Sequence, residues 1–176
     1  DVINKNDLFD FLNKRHPGEI SCVFHMGACS DTTEWDGDYV LETNYHYSKR
    51  LLNWCQINCS AFVYASSASV YGTNSISEIN PKFENPINAY AYSKLLFDNY
   101  VRKILPTATA QIVGLRYFNV YGPGEAHKGK MASVFYHLNN QIKSTNNFGL
   151  FRGTDGIADG QHSRDFVHVD DTVEAK

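Results

Sequence analysis

The chain has 176 residues, 43% of them hydrophobic and 14% aromatic, which suits a compact domain with its own core and not a disordered chain. Lys and Arg number 16 against 19 Asp and Glu, a net charge of -3 with no basic stripe to track a phosphate backbone, so nucleic acid is not an expected partner. Apolar runs such as Ala61 to Ala65 and Gln111 to Leu115 fall far short of the about 20 residues that span a bilayer, and neither a membrane segment nor a secretory leader is expected.

In chain order, Asn6 to Arg15 predicts a helix with Leu8, Phe9, Phe11 and Leu12 on one face, ended by Pro17-Gly18. Ile20 to Phe24 reads as a buried strand that opens into the small-residue turn Gly27-Ala28-Cys29-Ser30, where a ligand can approach the backbone. A long helix over Tyr39 to Ile57 buries Val40, Tyr47, Leu51 and Trp54, and Ala61 to Ala65 is the next strand. Asn88 to Ile104 is helical with Pro106 beyond its end, Gln111 to Arg116 is a third strand, and Met131 to Ile142 another helix. Strands without polar alternation, separated by helices, predict a parallel sheet covered on both faces, a doubly wound α/β fold. The charged, Gly-rich stretch Gly122 to Lys130 breaks the pattern and divides the chain into 1–122 and 123–176. The last residues, Asp171 to Lys176, read as a helix just beginning, so an internal segment of a longer protein is expected.

Cys22, Cys29, Cys55 and Cys59 lie among apolar neighbours in a chain that can fold without staples, which predicts reduced core thiols and a cytoplasmic setting. Cys22, His25 and Cys29 have a spacing that zinc can use, but Cys22 belongs to a strand-like run and no second ligand pair follows. No metal is expected.

In an open parallel sheet, ligands bind beyond the carboxyl ends of the strands. Here those ends are His25-Met26-Gly27-Ala28, Ser66-Ser67-Ala68-Ser69 and Arg116-Tyr117-Phe118-Asn119. A Ser-rich strand end is, by itself, usually a turn or a helix cap. Downstream, Tyr90 and Lys94 stand one helical turn apart on one face. A phenol with a pKa of about 10 is a poor base at neutral pH, and a neighbouring ammonium favours its phenolate. Tyr45 and Lys49 share the same spacing, in the middle of a long helix with no Ser-rich strand end before it, and read as a surface pair. Spacing alone does not separate the two matches; the position of Tyr90 near a helix start, after Ser67, does.

Four segments then carry a resemblance: Tyr64-Ala65-Ser66-Ser67-Ala68-Ser69-Val70-Tyr71-Gly72, Tyr90 with Lys94, Arg116-Tyr117-Phe118-Asn119-Val120-Tyr121-Gly122-Pro123, and Arg164-Asp165-Phe166-Val167-His168-Val169-Asp170-Asp171. In this order they resemble the signatures of the extended short-chain dehydrogenases/reductases that act on nucleotide sugars. Three further stretches, Gly27 to Ser30, Thr32 to Gly37 and His127 to Val134, are similar to the branch of that family that epimerises ADP-heptose at C6.

The resemblance implies a Rossmann-like doubly wound sheet with part of a smaller sugar-nucleotide lobe, an NADP cofactor, an ADP-heptose substrate on the way to lipopolysaccharide, and a homo-oligomer. By the same resemblance Tyr90, Lys94 and Ser67 are catalytic and Lys128 is a second acid/base group. NADP is then expected against Met26, Gly27, Ala28, Cys29, Ser30, Asn44, Tyr90, Lys94 and Val120. The ADP-sugar is expected against Ser67, Asn119, Lys130, His137, Phe151, Arg152, Gly153, Thr154 and Arg164. Lys130, Gly124 and the long stretch Asp155 to Ser163 depart from the family pattern and bear on the shape of the pocket.

A Gly-rich pyrophosphate turn after a first strand is absent before Asp7, so the N-terminal cofactor turn and a C-terminal part are expected to lie outside the segment. Two alternatives stay open. Another nucleotide-sugar epimerase or 4,6-dehydratase keeps Ser67, Tyr90 and Lys94 without the Lys128 loop, and a non-catalytic NADP-binding domain or an inactive fragment needs no acid/base pair.

Overall fold

The computed structural model describes residues 2–74, 76–154 and 156–174. They form two compact units, one ending at Arg116 and the other beginning at Tyr117.

In the first unit, α1 (Leu8–Leu12) is shorter than the predicted helix, because Asp7 provides no side-chain cap and the residues after Leu12 close as turns. β1 (Cys22–His25) runs parallel to β2 (Ala61–Ser67), with Cys22 opposite Ala61 and His25 opposite Tyr64. β3 (Ile112–Tyr117) lies on the other side of β2, giving the order β1-β2-β3.

The long helix predicted over 39–57 starts earlier and is not uniform. α2 (Gly37–Leu41) begins where the Asp36 carboxylate accepts the Tyr39 amide at 2.9 Å, and α3 (Tyr47–Ile57) follows a π-helical turn over Glu42–His46. Such a turn marks a place where a side chain is re-aimed, and here it holds the buried Asn44. α4 (Ala89–Ile104) is capped by Asn88, whose side chain accepts the Ala91 amide at 2.8 Å.

The apolar faces of α1, α3 and α4 meet β2 at Leu12, Leu51, Leu52, Phe62, Tyr64, Phe97 and Val101. Each fully buried side chain of this size contributes about 1.5–3 kcal/mol. Tyr64 and Phe97 pack edge to face at 4.9 Å. Two glycines are required by space. A β-carbon at Gly114 would fall 2.5 Å from the Tyr64 ring, and one at Gly72, where φ is +61, would fall 2.0 Å from the Asn85 carbonyl oxygen.

The second unit is built on β4 (Asn119–Tyr121) paired in parallel with β5 (Phe166–His168), Asn119 opposite Phe166. A 3-10 segment (Glu125–Met131) leads to α5 (Val134–Thr145), and α6 (Val169–Glu174) follows β5. α5 starts three residues later than predicted because Ser133 is its cap, accepting the Tyr136 amide at 3.2 Å. Tyr121, Phe135 and Phe166 form its aromatic centre, with Phe135 4.8 Å from Tyr121 and 4.6 Å from Phe166.

All four cysteines are free thiols. Cys55 is buried, whereas Cys59 is exposed at a left-handed position (φ +54) just past α3, so it is not the core thiol expected from its neighbours. Among the described residues no helix is long and apolar enough to cross a membrane.

Candidate active site

β2 ends in the predicted serines, and α4 runs back across the strand so that three successive β2 residues are tied to it. The Ala65 carbonyl accepts Lys94 Nζ at 2.8 Å. The hydroxyls on either side of it, Tyr64 Oη and Ser66 Oγ, donate to the Asp98 carboxylate at 2.9 and 3.0 Å. Asp98 follows Lys94 by one helical turn, so a single face of α4 grips residues 64, 65 and 66. Arg116 of β3 joins from the other side, donating to Asp98 Oδ2 at 2.8 Å through Nη2 and at 3.1 Å through Nε. Glu84 completes a buried charge cluster by accepting from both Arg116 and Arg102.

This arrangement sets the end of β2 against the start of α4. Ser67 Oγ accepts from the amide and hydroxyl of Ser69 at 3.2 and 2.9 Å, and its hydroxyl acts on the Tyr90 phenol. Burial pushes that phenol above its ordinary range, Ser67 draws it back in part, and the Cys29 thiol adds a further upward push. The expectation of a phenol lowered by its lysine is therefore corrected. Lys94 Nζ stands 5.9 Å from the Tyr90 ring centre and is drawn to the Ala65 carbonyl, so loss of water outweighs it. Lys94 is itself 7% exposed, and burial pushes its ammonium down to about 8 while Asp98 pulls it up.

The turn after β1 is held by one side chain. Asn44 Oδ1 accepts the Cys29 amide at 2.8 Å, and Nδ2 donates to the Cys29 carbonyl at 2.9 Å and to Ser93 Oγ at 3.0 Å. Ser93 Oγ in turn donates to the Tyr90 carbonyl at 2.7 Å. Asn44 was expected to line a cofactor; in the structure it is 1% exposed, and its amide joins the β1 turn to the helix that carries Tyr90. Met26, Gly27 and Ser30 of that turn are exposed, Ala28 and Cys29 half-buried. His25 bonds Ser48 Oγ at 2.7 Å, and burial, reinforced by the Lys94 ammonium, pushes its imidazole down to about 4.

The second match, Tyr45 and Lys49, is not the surface pair that was expected. Both are half-buried, and Lys49 Nζ sits 5.7 Å from the Tyr45 ring and 4.7 Å from the Tyr100 ring, a cation over two aromatic faces.

In the second unit, Phe151, Arg152, Thr154 and Arg164 line one cavity of about 350 Å³, together with Val134, Leu150, Gly160, His162 and Phe166. Two guanidinium groups beside aromatic and aliphatic walls suit a nucleoside diphosphate. Gly153 is not in the wall of this cavity: its amide donates to Asp159 at 2.6 Å, and a β-carbon there would meet the Ile157 carbonyl at 2.2 Å. Asn119, Lys130 and His137 are not in its wall. Asn119 instead donates to the Asp165 carbonyl at 2.9 Å, and His137 packs on Tyr136 within α5. Val120 is half-buried in β4, and Lys128 is 40% exposed and 3.7 Å from Glu125.

Four acidic and basic residues that organise these sites, Glu84, Asp98, Arg116 and Glu125, were not singled out as site residues from the sequence. The available signal for Asp98 was its spacing of one turn from Lys94, and for Glu125 its spacing from Lys128; for Glu84 and Arg116 the partners are too far apart in the chain to be seen.

In the first unit, a parallel sheet with a serine strand end and a Tyr-Lys helix docked on it is a Rossmann-like arrangement. In agreement, the NAD dependent epimerase/dehydratase family model matches residues 1–176, and the chain belongs to that family. It is 50% identical to the ADP-L-glycero-D-manno-heptose-6-epimerase of Alkalilimnicola ehrlichii over 177 residues, covering 100% of this chain and 55% of that protein. Among solved structures, Helicobacter pylori ADP-L-glycero-D-manno-heptose-6-epimerase matches with a TM-score of 0.82 and 35% identity, over 98% of this chain and 53% of that one. RMD from Pseudomonas aeruginosa, complexed with NADPH, matches with a TM-score of 0.71 and 25% identity, over 94% and 58%. The chain thus spans about half the length of the relatives it matches.

Family membership implies a nicotinamide cofactor. The first unit fits one: the turn after β1 is exposed at Gly27, where a β-carbon would meet nothing within 4 Å, and the turn is fixed to the Tyr90 helix through Asn44.

Proposed function

We propose that this chain is the catalytic part of an NADP-dependent epimerase that inverts C6 of the heptose in ADP-D-glycero-β-D-manno-heptose, giving ADP-L-glycero-β-D-manno-heptose for the inner core of lipopolysaccharide. The observation that carries the reading is the docking of α4 on β2, which sets Tyr90 within the influence of the Ser67 hydroxyl and anchors Lys94 on Ala65. Half identity to a heptose epimerase along the whole chain supports the choice of substrate.

A bound nicotinamide supplies reversible acceptance of hydride from C6. The residues of this chain handle the proton on the C6 oxygen. That oxygen occupies two positions, one before and one after the side chain turns over, so two acid/base groups are needed. Tyr90 is one and Lys128 the other; one removes the proton, and the second returns it on the opposite face. Ser67 holds the reacting oxygen by hydrogen bonding, and Lys94 steadies Tyr90 and the cofactor ribose. Met26 to Ser30, Asn44 and Val120 are proposed to hold or support the cofactor. Phe151 to Thr154 and Arg164, with Asn119, Lys130 and His137, are proposed to bind the ADP-sugar.

A preference for NADP over NAD is part of the proposal and rests on the family resemblance; among similar solved structures one holds NADPH and another NAD. A cytoplasmic homo-oligomer is proposed on the family resemblance. The test is turnover of full-length protein with ADP-heptose against UDP-galactose. Conversion of the first alone supports the reading, and conversion of UDP-galactose alone contradicts it.

A further inference from the structure

We propose that Glu125 is the positioning residue for Lys128: its buried carboxylate ties together both ends of the loop that carries this lysine and holds the ammonium beside it. The inference rests on the reading of Lys128 as an acid/base group.

Glu125 is 5% exposed, an unusual place for a carboxylate unless it is fully partnered. One oxygen, Oε1, accepts the Gly122 amide at 3.1 Å and the Ser133 hydroxyl at 2.8 Å. The other, Oε2, accepts the Ser133 amide at 2.7 Å and faces Lys128 Nζ at 3.7 Å. Gly122 opens the loop and Ser133 closes it, so one side chain spans the whole of 122–133. Between them the backbone turns through left-handed positions at Gly124 (φ +87) and Gly129 (φ +53), on either side of Lys128. Across the 3-10 turns of Glu125–Met131, the carboxylate joins the two ends of the loop.

The chemistry calls for a carboxylate and not an amide. Three N–H or O–H donors and an ammonium converge on the two oxygens, and every one of them needs an acceptor. Glutamine offers a single acceptor oxygen; its NH2 would face either the Gly122 amide and the Ser133 hydroxyl, or the Ser133 amide and the Lys128 ammonium. Hydrogen bonds and the lysine charge hold the Glu125 carboxyl below its ordinary range despite burial, so it is ionised at neutral pH. Lys128, 40% exposed, is then placed by its neighbour and still open to a substrate.

The experiment uses full-length enzyme and ADP-heptose. Glu125→Gln is expected to lower kcat about tenfold or more while KM stays within about twofold, because the proton-handling group is misplaced and the sugar nucleotide is held elsewhere. Ser133→Ala removes one hydroxyl from the carboxylate and the cap from α5 but leaves the charge beside Lys128; it should lower the thermal midpoint and leave kcat within about twofold. In a Lys128→Met background, Glu125→Gln should cause no further fall in kcat, since the two act as one. Wild-type kcat in Glu125→Gln, or an equal further fall when Lys128 is already replaced, overturns the proposal. Normal turnover of Lys128→Met alone overturns the two-base reading and this inference with it, a failure told apart because it needs no change at Glu125.

Discussion

Lys94 is a cation kept where water barely reaches, and two groups make that tolerable: the Ala65 carbonyl, which accepts its Nζ, and, one turn along the helix, the charge of the Asp98 carboxylate. Its ammonium, lowered to about 8, is still mostly charged at neutral pH. Replacement of Tyr90 by Phe removes the proposed acid/base oxygen and should cost about 10²–10⁴ in kcat, read from initial rates with saturating substrate. His25 offers a separate test at the same scale. Its imidazole, near 6.5 when unfolded, is pushed to about 4 in the fold, so the unfolded chain binds the extra proton first. Stability should therefore fall as pH drops from about 6.5 to 4, the window between those two values. Urea denaturation across that window should show a smaller loss in His25→Phe than in the parent; an equal loss contradicts the assignment.

At the scale of elements, the docking of α4 on β2 adds buried charges to its apolar contact. Asp98, Glu84 and Arg116 have side chains at 6, 4 and 10% exposure, so deleting one leaves another uncompensated. Asp98→Ala is expected to cost about 3–5 kcal/mol of unfolding free energy, whereas Asn88→Ala, which removes only the cap of α4, should cost about 1 kcal/mol. Equilibrium urea unfolding separates the two.

β1, β2, β3 and α4 were legible in the sequence because each is a local signal, such as the apolar runs at Cys22 to Phe24 and Ala61 to Ala65 and the cap followed by helical spacing from Asn88; the three-residue strands β4 and β5 are too short to show one. The π turn at Glu42–His46 was not, since it answers to a tertiary demand, the reach of Asn44 to Cys29 and Ser93. The ionic cluster was hidden for the same reason, with Arg116 lying 32 positions from Glu84. Tyr90 and Lys94 could be found by spacing and context, but the upward push on the phenol is a consequence of burial that no spacing reveals.

For the whole molecule, the chain divides its chemistry between two units, a Tyr-Lys helix on a parallel sheet and an arginine-lined cavity of about 350 Å³. Family signatures run through both, which is why a resemblance could assign residues that composition and periodicity could not. The proposed reaction keeps hydrogen within the active site: hydride leaves C6 and returns to it, while Tyr90 and Lys128 exchange protons only with oxygen. Turnover of ADP-D-glycero-β-D-manno-heptose by the full-length enzyme in D2O, followed by NMR, tests this directly. The predicted product is ADP-L-glycero-β-D-manno-heptose with no deuterium at C6; deuterium at C6, or no inversion there at all, contradicts it.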